Sequence, residues 1–283
     1  MSDLARIPPV ALTIAGSDSS GGAGIQADLK AMEAHGVFGM SVITAVTAQN
    51  SRAVTAAFDL PTEMITAQLD AVVDDYAIGA VKTGMLSSRA IVETVADGIE
   101  RHALRPVVVD PVMISTSGFS LLEPDAVEAV KGRLLPLATL ATPNAHEAAA
   151  LTGREVKTAA QAREAARAIA GMGPEAVLVK GGHLDGEADA VDVLFTEGRF
   201  AEIRAPRIDT PNTHGTGCTY ASAIAALLAR GHDLEGAVRY AKRYLTTAIW
   251  LAPDLGAGHG PVRHFWHLDT GRLAEEGGGG ASA

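Results

Sequence analysis

The chain contains few of the residues that build disulfide-linked or metal-rich proteins. Its 283 residues include a single cysteine, Cys218. One cysteine excludes an internal disulfide and a zinc site built from several cysteines. The nine histidines show no spacing typical of metal ligands. This composition is expected of a protein in a reducing compartment.

Long apolar runs and positive charge are scarce as well. No run approaches the roughly 20 apolar residues that a membrane-spanning helix needs, and residues 1–9 lack the apolar segment of a signal peptide. Lysine and arginine number 23 against 33 acidic residues, which gives a formal net charge of −10. Broad nucleic-acid binding needs a cation at each phosphate contact and is not expected. We therefore predict a cytoplasmic protein that binds neither nucleic acid nor membrane.

Short apolar runs alternate with amphipathic stretches along most of the chain. The clearest strand is Pro106–Asp110, because its β-branched residues are apolar on both faces, as inside a parallel sheet. Repeated β-α units favour an α/β fold with a mostly parallel sheet between helices. The other predicted strands are Val10–Ala15, Met40–Val46, Ala53–Phe58, Ile78–Lys82, Leu137–Ala141, Ala176–Lys180, Val191–Phe195 and Phe200–Ile203. The predicted helices are Gly24–His35, one beginning near Pro61, Ser88–His102, Ala145–Leu151, Ala159–Met172, Gly217–Arg230 and Leu234–Leu251.

No internal repeat and no linker-like change of composition interrupts this pattern. We predict a single domain over residues 10–268, with an N-terminal extension at 1–9 and a flexible, partly glycine-rich tail at 269–283. Ligands bind such sheets at the carboxyl ends of the strands. The residues that follow the predicted strands are therefore the first candidates for a site.

The segment Asn212–Thr219 combines two glycines with the cysteine and leads into an alanine-rich helix. Gly215 and Gly217 allow successive N–H groups to point toward one spot, and the helix start adds partial positive charge. Such a turn can hold the charge of a transferring phosphoryl group. Cys218 lies in the first helical turn, where the pKa of a thiol is lowered from its usual value of about 8.5. It could be a general base, a nucleophile, or a small core residue beside a capping loop.

A second glycine-rich loop, Ser19–Lys30, also opens a helix. It matches the dinucleotide-binding fingerprint only loosely, because its first glycine lies several residues past the strand and no acidic residue ends the next strand. The phosphate-binding motif G-x-x-x-x-G-K-[ST] does not occur in the sequence. A kinase with this sequence must therefore bind ATP in another way.

Oxygen-bearing and basic side chains follow other predicted strands. Asp110, Asn144 and Glu147 could hold Mg²⁺, which is usually bound by one or two carboxylates, water and phosphates. Asn144 and Glu147 also have the spacing of a helix capping box, and both interpretations can hold together. Lys180 ends an apolar strand beside two glycines, a place that favours a phosphate contact. Lys242, near the middle of the last predicted helix, is by default a solvated lysine.

Seven segments occur in an order that indicates a known family. They are TIAGSDSSGGAGIQADLK (13–30), VTAQN (46–50), KTGML (82–86), VDPVM (109–113), TPNAHEAAAL (142–151), KGGH (180–183) and NTHGTGCTYASAIAA (212–226). With these segments the chain resembles the hydroxymethylpyrimidine/phosphomethylpyrimidine kinases of thiamine biosynthesis, in the ribokinase-like superfamily. The resemblance extends from about Val10 to His264.

The resemblance implies a three-layer α/β/α fold and two successive phosphorylations with ATP and Mg²⁺, first of 4-amino-5-hydroxymethyl-2-methylpyrimidine and then of its monophosphate. It implies that Cys218 replaces the aspartate that most ribokinase-like kinases use as catalytic base. The catalytic turn then comprises Gly215, Thr216, Gly217 and Cys218. The implied pyrimidine site comprises Gly16, Asp18, Gln49, Met85 and Val112, with Gln49 at the ring edge. The implied contacts to ATP and its phosphates are Asp110, Asn144, Lys180, Thr213 and Lys242, and those to the metal are Asp110 and Glu147.

Alternatives remain at the level of the sequence. Close relatives with the same glycine–cysteine turn phosphorylate pyridoxal or pyridoxine, whose ring is similar in size and also bears a hydroxymethyl group. A cysteine-nucleophile hydrolase or transferase would need a histidine base, and His214 would have to fold back across the turn to supply it. A non-catalytic nucleotide-binding protein fits poorly, since base, anion hole and metal groups all occur. The resemblance also implies a homodimer.

Overall fold

One mixed β-sheet forms the centre of the protein. The computed structural model describes residues 7–114, 118–119, 121–182 and 184–268. The strands are β1 (Val10–Asp18), β2 (Phe38–Gln49), β3 (Val54–Asp59), β4 (Ala80–Thr83), β5 (Val107–Val109), β6 (Leu140–Ala141), β7 (Ala176–Val179), β8 (Asp189–Thr196) and β9 (Arg199–Pro206). Within the described residues these nine strands form one sheet in the order β3-β2-β1-β4-β5-β6-β7-β8-β9.

The predicted mostly parallel sheet is confirmed. Strands β2, β1, β4, β5, β6 and β7 pair in parallel, whereas β3, β8 and β9 pair antiparallel with their neighbours. The β8–β9 connection explains one reversal, because Glu197 and Gly198 both have positive φ, of 50° and 74°. Two such residues form the tight turn that joins antiparallel strands.

Helices cover both faces of the sheet, as the α/β pattern predicts. They are α1 (Gly24–Ala34), α2 (Thr62–Val73), α3 (Arg89–Arg101), α4 (Pro124–Ala129), α5 (Ala145–Thr152), α6 (Ala159–Ala170), α7 (Thr216–Ala229) and α8 (Leu234–Trp250). Residues of α2 to α6 form one core cluster with the sheet, and residues of α7 and α8 form a second. Strand β5 shows the reason for its apolar composition, since Val107 and Val109 enter the first cluster and Val108 the second.

The main error in the predicted elements precedes β6. A strand was expected over Leu137–Ala141, but β6 has only two residues, and α4 continues into a π-helical turn (Val130–Leu134) and a 3-10 turn (Leu135–Leu137). Both turns bury leucines in the larger core cluster. A short apolar run does not by itself distinguish a strand from a buried helical segment.

The ends of the chain are described only in part. The predicted tail at 269–283 and residues 1–6 of the predicted extension lie outside the described residues. The division into one domain with two flanking segments stays a prediction. Among the described residues, no helix has both the length and the apolar character needed to cross a membrane.

Two methionines provide a test of where the core lies. Met32 of α1 is fully buried, whereas Met64 of α2 is 52% exposed. Met32→Ala should lower the free energy of unfolding by about 2–5 kcal/mol, because it removes buried apolar atoms and leaves a cavity. Met64→Ala, the matched control, should change it by no more than about 0.5 kcal/mol. Urea unfolding of both variants measures the difference, and equal losses would contradict the described packing of α1.

Candidate active site

The two glycine-rich segments meet at the carboxyl edge of the sheet. Gly215 precedes α7 in the left-handed conformation, with φ of 78°. A Cβ atom at Gly215 would lie 1.8 Å from the carbonyl oxygen of Gly22, so only glycine permits this approach of two backbones. The N–H of Thr216, the first residue of α7, bonds to the carbonyl oxygen of Thr213 at 3.3 Å. The predicted turn and helix are thus present, and the helix begins one residue earlier than expected.

Lys180 and Asp110 lie together at the start of α7. Lys180 Nζ is 2.6 Å from Asp110 Oδ1, which also accepts a hydrogen bond from Thr142 at 3.1 Å. A Cβ atom at Gly217 would lie 3.3 Å from Lys180 Nζ and 3.5 Å from Asp110 Oδ2. Burial disfavours the ammonium ion, but the carboxylates of Asp110 and Glu147 outweigh burial and raise the pKa of Lys180. A permanent cation therefore lies beside the glycine turn.

Asn144 and Glu147 form the predicted capping box at the start of α5. The N–H of Asn144 donates to Glu147 Oε2 at 2.7 Å, and the N–H of Glu147 donates to Asn144 Oδ1 at 2.9 Å. Burial raises the pKa of Glu147 to about 7, although the cation of Lys180, 3.9 Å away, opposes the shift. The capping interpretation is confirmed, and a metal-binding role for the same carboxylate stays a prediction.

The acidic groups near Lys180 provide two carboxylates that could contact a metal ion. Among residues 7–114, 118–119, 121–182 and 184–268, no group of three or more His, Cys, Asp or Glu side chains could hold a metal ion. Asp110 and Glu147 both approach Lys180, and Asp110 Oδ2 faces Gly217. Mg²⁺ is commonly held by one or two carboxylates, with water and substrate phosphates as its other ligands. The two carboxylates fit that arrangement.

The residues expected to line a pyrimidine site are brought together in part. A Cβ atom at Gly16 would lie 3.0 Å from the sulfur of Met85, so these two residues are neighbours. The backbone at Met85 is held by Thr44, whose hydroxyl donates to its carbonyl oxygen at 2.9 Å. Val112 lines a small, partly open pocket together with Gly84 and Asp110. The predicted pyrimidine and phosphate residues therefore adjoin along one edge of the sheet.

Asp18 is buried, and its carboxylate organises the first glycine-rich loop. Its oxygens accept hydrogen bonds from the N–H and hydroxyl of Ser20 and from the N–H groups of Gly22 and Ala23. Burial favours the neutral acid, but the bonds from His214, Ser20 and Ala23 outweigh it and lower the pKa of Asp18 to about 2. The structure thus gives this carboxylate a role within the loop, and its contact with a pyrimidine stays a prediction.

His214 lies beside two of the predicted site residues, although its place in the sequence suggests only a partner for Cys218. Its Nε2 atom lies 2.8 Å from Asp18 Oδ2 and 3.4 Å from the side-chain nitrogen of Gln49. The side-chain oxygen of Gln49 accepts a hydrogen bond from Thr47 at 3.1 Å. The amide expected at the ring edge therefore lies beside His214, and its oxygen is held by Thr47. The available signal was the position of His214 directly before the glycine turn.

The predicted lowering of the Cys218 pKa is wrong. The thiol is buried, and burial raises its pKa to about 11. The charge of Lys82 and a hydrogen bond from the N–H of Gly24 oppose this shift, while Asp28 and Asp110 add to it. A helix start lowers a thiol pKa only where it outweighs the loss of water. In this structure burial is the larger effect, so the thiol is protonated near neutral pH.

The default interpretation of Lys242 as a solvated lysine is also wrong. Lys242 is buried, and its ammonium ion lies 2.7 Å from Asp192 Oδ2. Asp192 is a buried acidic residue of β8, and its other oxygen accepts a hydrogen bond from the N–H of Gly181 at 2.9 Å. Lys242 is thus linked through Asp192 to the residue after Lys180. The predicted phosphate contact of Lys242 stays a prediction.

Lys82 and Asp28 were not recognised as candidates from the sequence. Both side chains are fully buried, and they form an ion pair with a distance of 2.8 Å. Lys82 follows the apolar residues Ala80 and Val81 in β4, a buried strand that ends at the site. A lysine at such a position was the signal that could have identified it, because an unpaired lysine is rarely buried.

Comparison with known proteins bears on the identity of this site. The phosphomethylpyrimidine kinase family model matches residues 18–263. The hydroxymethylpyrimidine/phosphomethylpyrimidine kinase of Streptomyces coelicolor is 55% identical over 261 residues, which cover 92% of this chain and 96% of that relative.

Two solved structures are similar over most of the fold. An ADP complex of Bacillus subtilis pyridoxal kinase has a TM-score of 0.84 and 40% identity, and the match covers 91% of this chain and 98% of that one. The phosphomethylpyrimidine kinase of Clostridium difficile 630 has a TM-score of 0.76 and 45% identity, with 85% and 99% covered. The ribokinase-like α/β fold expected from the sequence is confirmed. The match along residues 18–263 and the identity to the Streptomyces coelicolor relative show that the chain belongs to the phosphomethylpyrimidine kinase family.

Proposed function

We propose that this enzyme transfers a phosphoryl group from ATP to 4-amino-5-hydroxymethyl-2-methylpyrimidine and then phosphorylates the monophosphate to the diphosphate, in thiamine biosynthesis. Family membership supports the phosphotransferase activity, and the name of the Streptomyces coelicolor relative includes both pyrimidine steps. One structural observation supports the site most directly: Lys180 and Asp110 lie against the backbone of Gly217, one residue before Cys218.

The proposed reaction is an in-line phosphoryl transfer. The hydroxymethyl oxygen forms a bond to the γ-phosphorus while the bond to the leaving oxygen of ADP breaks, and the hydroxyl proton is lost to a base. The N–H groups of Gly217 and Cys218 at the start of α7 and the cation of Lys180 are proposed to stabilise the negative charge on the transferring group. Positioning and charge stabilisation supply most of the catalysis in reactions of this class.

Cys218 is the proposed acceptor of the hydroxyl proton, and its raised pKa changes how that role is understood. Because the pKa of Cys218 is about 11, roughly one enzyme molecule in ten thousand carries the thiolate at pH 7, about four units below that pKa. The rare thiolate is a strong base, and proton transfer is a smaller contribution than charge stabilisation in a loose transition state. The same raised pKa weakens the alternative of a cysteine nucleophile, which needs an activated thiolate.

Mg²⁺ is proposed as the accompanying metal, held by Asp110 and Glu147. Bound there, it would neutralise charge on the phosphates of ATP. Lys180 lies 2.6 Å from Asp110 and 3.9 Å from Glu147, so the cation of the protein and the metal would share these two carboxylates. Asn144 contributes by fixing Glu147 through the capping box.

The pyrimidine is proposed to bind beside Gly16, Met85 and Val112, with the amide of Gln49 at its edge. A carboxamide can donate to a ring nitrogen and accept from an exocyclic amine. Asp18 would act by shaping the loop and by holding His214, which lies 3.4 Å from the Gln49 amide. A homodimer and a cytoplasmic location stay predictions. The exposed Phe58 and Val46 on the neighbouring strands β3 and β2 offer an apolar surface for a second copy.

The substrate proposal is tested by a coupled assay of ATP consumption. The pyrimidine alcohol should give a kcat/KM at least about tenfold above that of pyridoxal, and the monophosphate should be converted to the diphosphate. Pyridoxal is the relevant competitor because a similar structure is that of a pyridoxal kinase. A higher kcat/KM for pyridoxal would reverse the assignment, and consumption of neither alcohol would reject it.

The role of Cys218 is tested by Cys218→Ala and Cys218→Ser. Both variants should lower kcat by about 10²–10⁴, the usual contribution of a general base, with little change in KM. Serine places a hydroxyl where the parent has a thiol of similar size. Because the serine hydroxyl does not ionise in the accessible pH range, Cys218→Ser serves as the matched control for packing. Steady-state kinetics with circular dichroism of both variants provides the measurement. A near-normal kcat in both would remove Cys218 from the catalytic role.

The charge state of Cys218 can be measured directly, because it is the sole cysteine of the chain. Only the thiolate form of a cysteine reacts with iodoacetamide, and the pKa of the Cys218 thiol is raised to about 11. The labelling rate of the substrate-free enzyme should therefore rise about tenfold per pH unit up to pH 10 without reaching a plateau. Mass spectrometry at timed intervals gives the rate. A plateau below about pH 8.5 would show a lowered pKa instead.

A further inference from the structure

A fully buried charged cluster lies between α1, α7 and the sheet, apart from the residues proposed to contact substrates. Asp28 of α1 and Lys82 of β4 form its ion pair, and both side chains have no exposed surface. Asp28 Oδ1 accepts hydrogen bonds from Lys82 at 2.9 Å and from Ser222 at 2.7 Å. Asp28 Oδ2 accepts from Lys82 at 2.8 Å and from Thr13 at 2.6 Å. Four elements of the fold therefore meet at one carboxylate.

The helix register places this cluster directly behind Cys218. The backbone of Gly24 at the start of α1 lies near the thiol of Cys218 at the start of α7 and lowers its pKa slightly. Asp28 and Ser222 lie four residues further along the same two helices and bond to each other. The carboxylate is thus about one helical turn, or 5.4 Å, behind the thiol along both helices.

Lys82 reaches the same region from the sheet. A Cβ atom at Gly84 would lie only 2.7 Å from Lys82 Nζ, so the ammonium ion lies against the backbone that leads from β4 to Met85. A side chain at position 84 would displace the lysine. The cation is therefore close beneath the floor of the proposed site and shielded from water, which strengthens its field.

Stability alone is a weak reason for such a pair. Removing two charges from water carries a large free-energy penalty for each ion, and well-packed apolar residues often stabilise a core equally well. The charged groups that face the thiol are Lys82 from β4, Asp28 from α1, Asp110 after β5 and Lys180 after β7. Lys180 is engaged by Asp110 and Glu147. Lys82 is then the cation that is paired with Asp28 and that, after Asp28, interacts most strongly with Cys218.

We infer that Lys82, held in place by Asp28, is a positioning residue that supports negative charge on Cys218. Asp28 keeps the lysine charged, because burial alone would lower the pKa of Lys82 and the carboxylate raises it instead. The thiolate of Cys218 accepts the proton of the substrate hydroxyl as the new oxygen–phosphorus bond forms, and the thiol is regenerated. Lys82 increases the fraction of enzyme in which that thiolate exists. This inference depends on the proposed function of Cys218.

The test measures the thiol in the absence of any substrate. Lys82→Met removes the charge and keeps the length of the side chain, and it should lower the rate of iodoacetamide labelling at pH 9 by about tenfold, which corresponds to one pKa unit. Lys82→Arg keeps the charge and should label within about threefold of the parent rate. Lys157→Met removes the charge of an exposed lysine and is the control for loss of a positive charge. A purely structural role predicts the opposite sign, since a loosened fold exposes the thiol and labels faster.

A second variant covers the case in which Lys82→Met fails to fold with an unpaired carboxylate. Lys82→Met combined with Asp28→Asn removes both charges, and labelling should still be slower than in the parent, because the lysine influences the thiol more strongly than the aspartate does. Unchanged or faster labelling in whichever of these two variants folds would overturn the inference.

Kinetics separates this inference from the proposed function. In Lys82→Met, kcat near pH 8 should fall about tenfold while KM for ATP is unchanged. The rising limb of the pH profile of kcat should move to higher pH in this variant. Lys82→Arg, which keeps the charge, should retain the parent activity. If Cys218→Ser keeps a normal kcat, the proposed base is wrong, yet labelling still reports the link between Lys82 and the thiol. If Cys218→Ser loses activity while Lys82→Met labels normally, the inference alone fails.

Discussion

The approach of two glycine-rich backbones at the carboxyl edge of the sheet is the constraint on which the site depends. The carbonyl oxygen of Gly22 occupies the space where any side chain at Gly215 would begin. This contact fixes the start of α7 against the loop before α1, so the N–H groups of the turn, the thiol of Cys218 and the cation of Lys180 share one small volume. Asp18 supports the contact from the other side by binding the N–H groups of its own loop. A phosphoryl group at this point would meet donors that are already oriented, which is the condition for electrostatic catalysis.

Lysine–aspartate pairs recur around that volume and show how the fold keeps charge inside a largely apolar sheet. Lys82 pairs with Asp28, Lys180 with Asp110 and Lys242 with Asp192, at 2.8, 2.6 and 2.7 Å. Each aspartate also accepts a further hydrogen bond, from Thr13 and Ser222, from Thr142, and from Gly181. Charges that are buried in this way avoid most of the penalty of an unpaired ion. The charges of these ion pairs lie in fixed positions, so they can stabilise a reacting group without any rearrangement of solvent.

The sequence predicted those parts of the fold and site that arise from local pattern. The β-branched run at 107–109 indicated a strand buried on both faces, and the spacing of Asn144 and Glu147 indicated a capping box that the structure contains. The segment before β6 was misread because buried leucines occur in strands and helical turns alike. Lys242 was misread because an amphipathic pattern does not reveal that its partner, Asp192, lies in a strand 50 residues away.

By itself, the sequence determined the order of strands and helices, the glycine turn before an alanine-rich helix, and the resemblance that names a reaction. The strands, the helices and the glycine turn depend on neighbours within a few residues, where periodicity and backbone preference act, whereas the resemblance depends on seven segments between residues 13 and 226. Only the tertiary structure decided the charge state of Cys218, because that depends on how much water the fold excludes and on Lys82, Asp28 and Asp110, which come from distant segments. The same holds for the Asp28–Lys82 pair, whose members are 54 residues apart. The pKa of a buried group depends on its burial and on the charges and hydrogen bonds around it, and these are set only when the chain has folded.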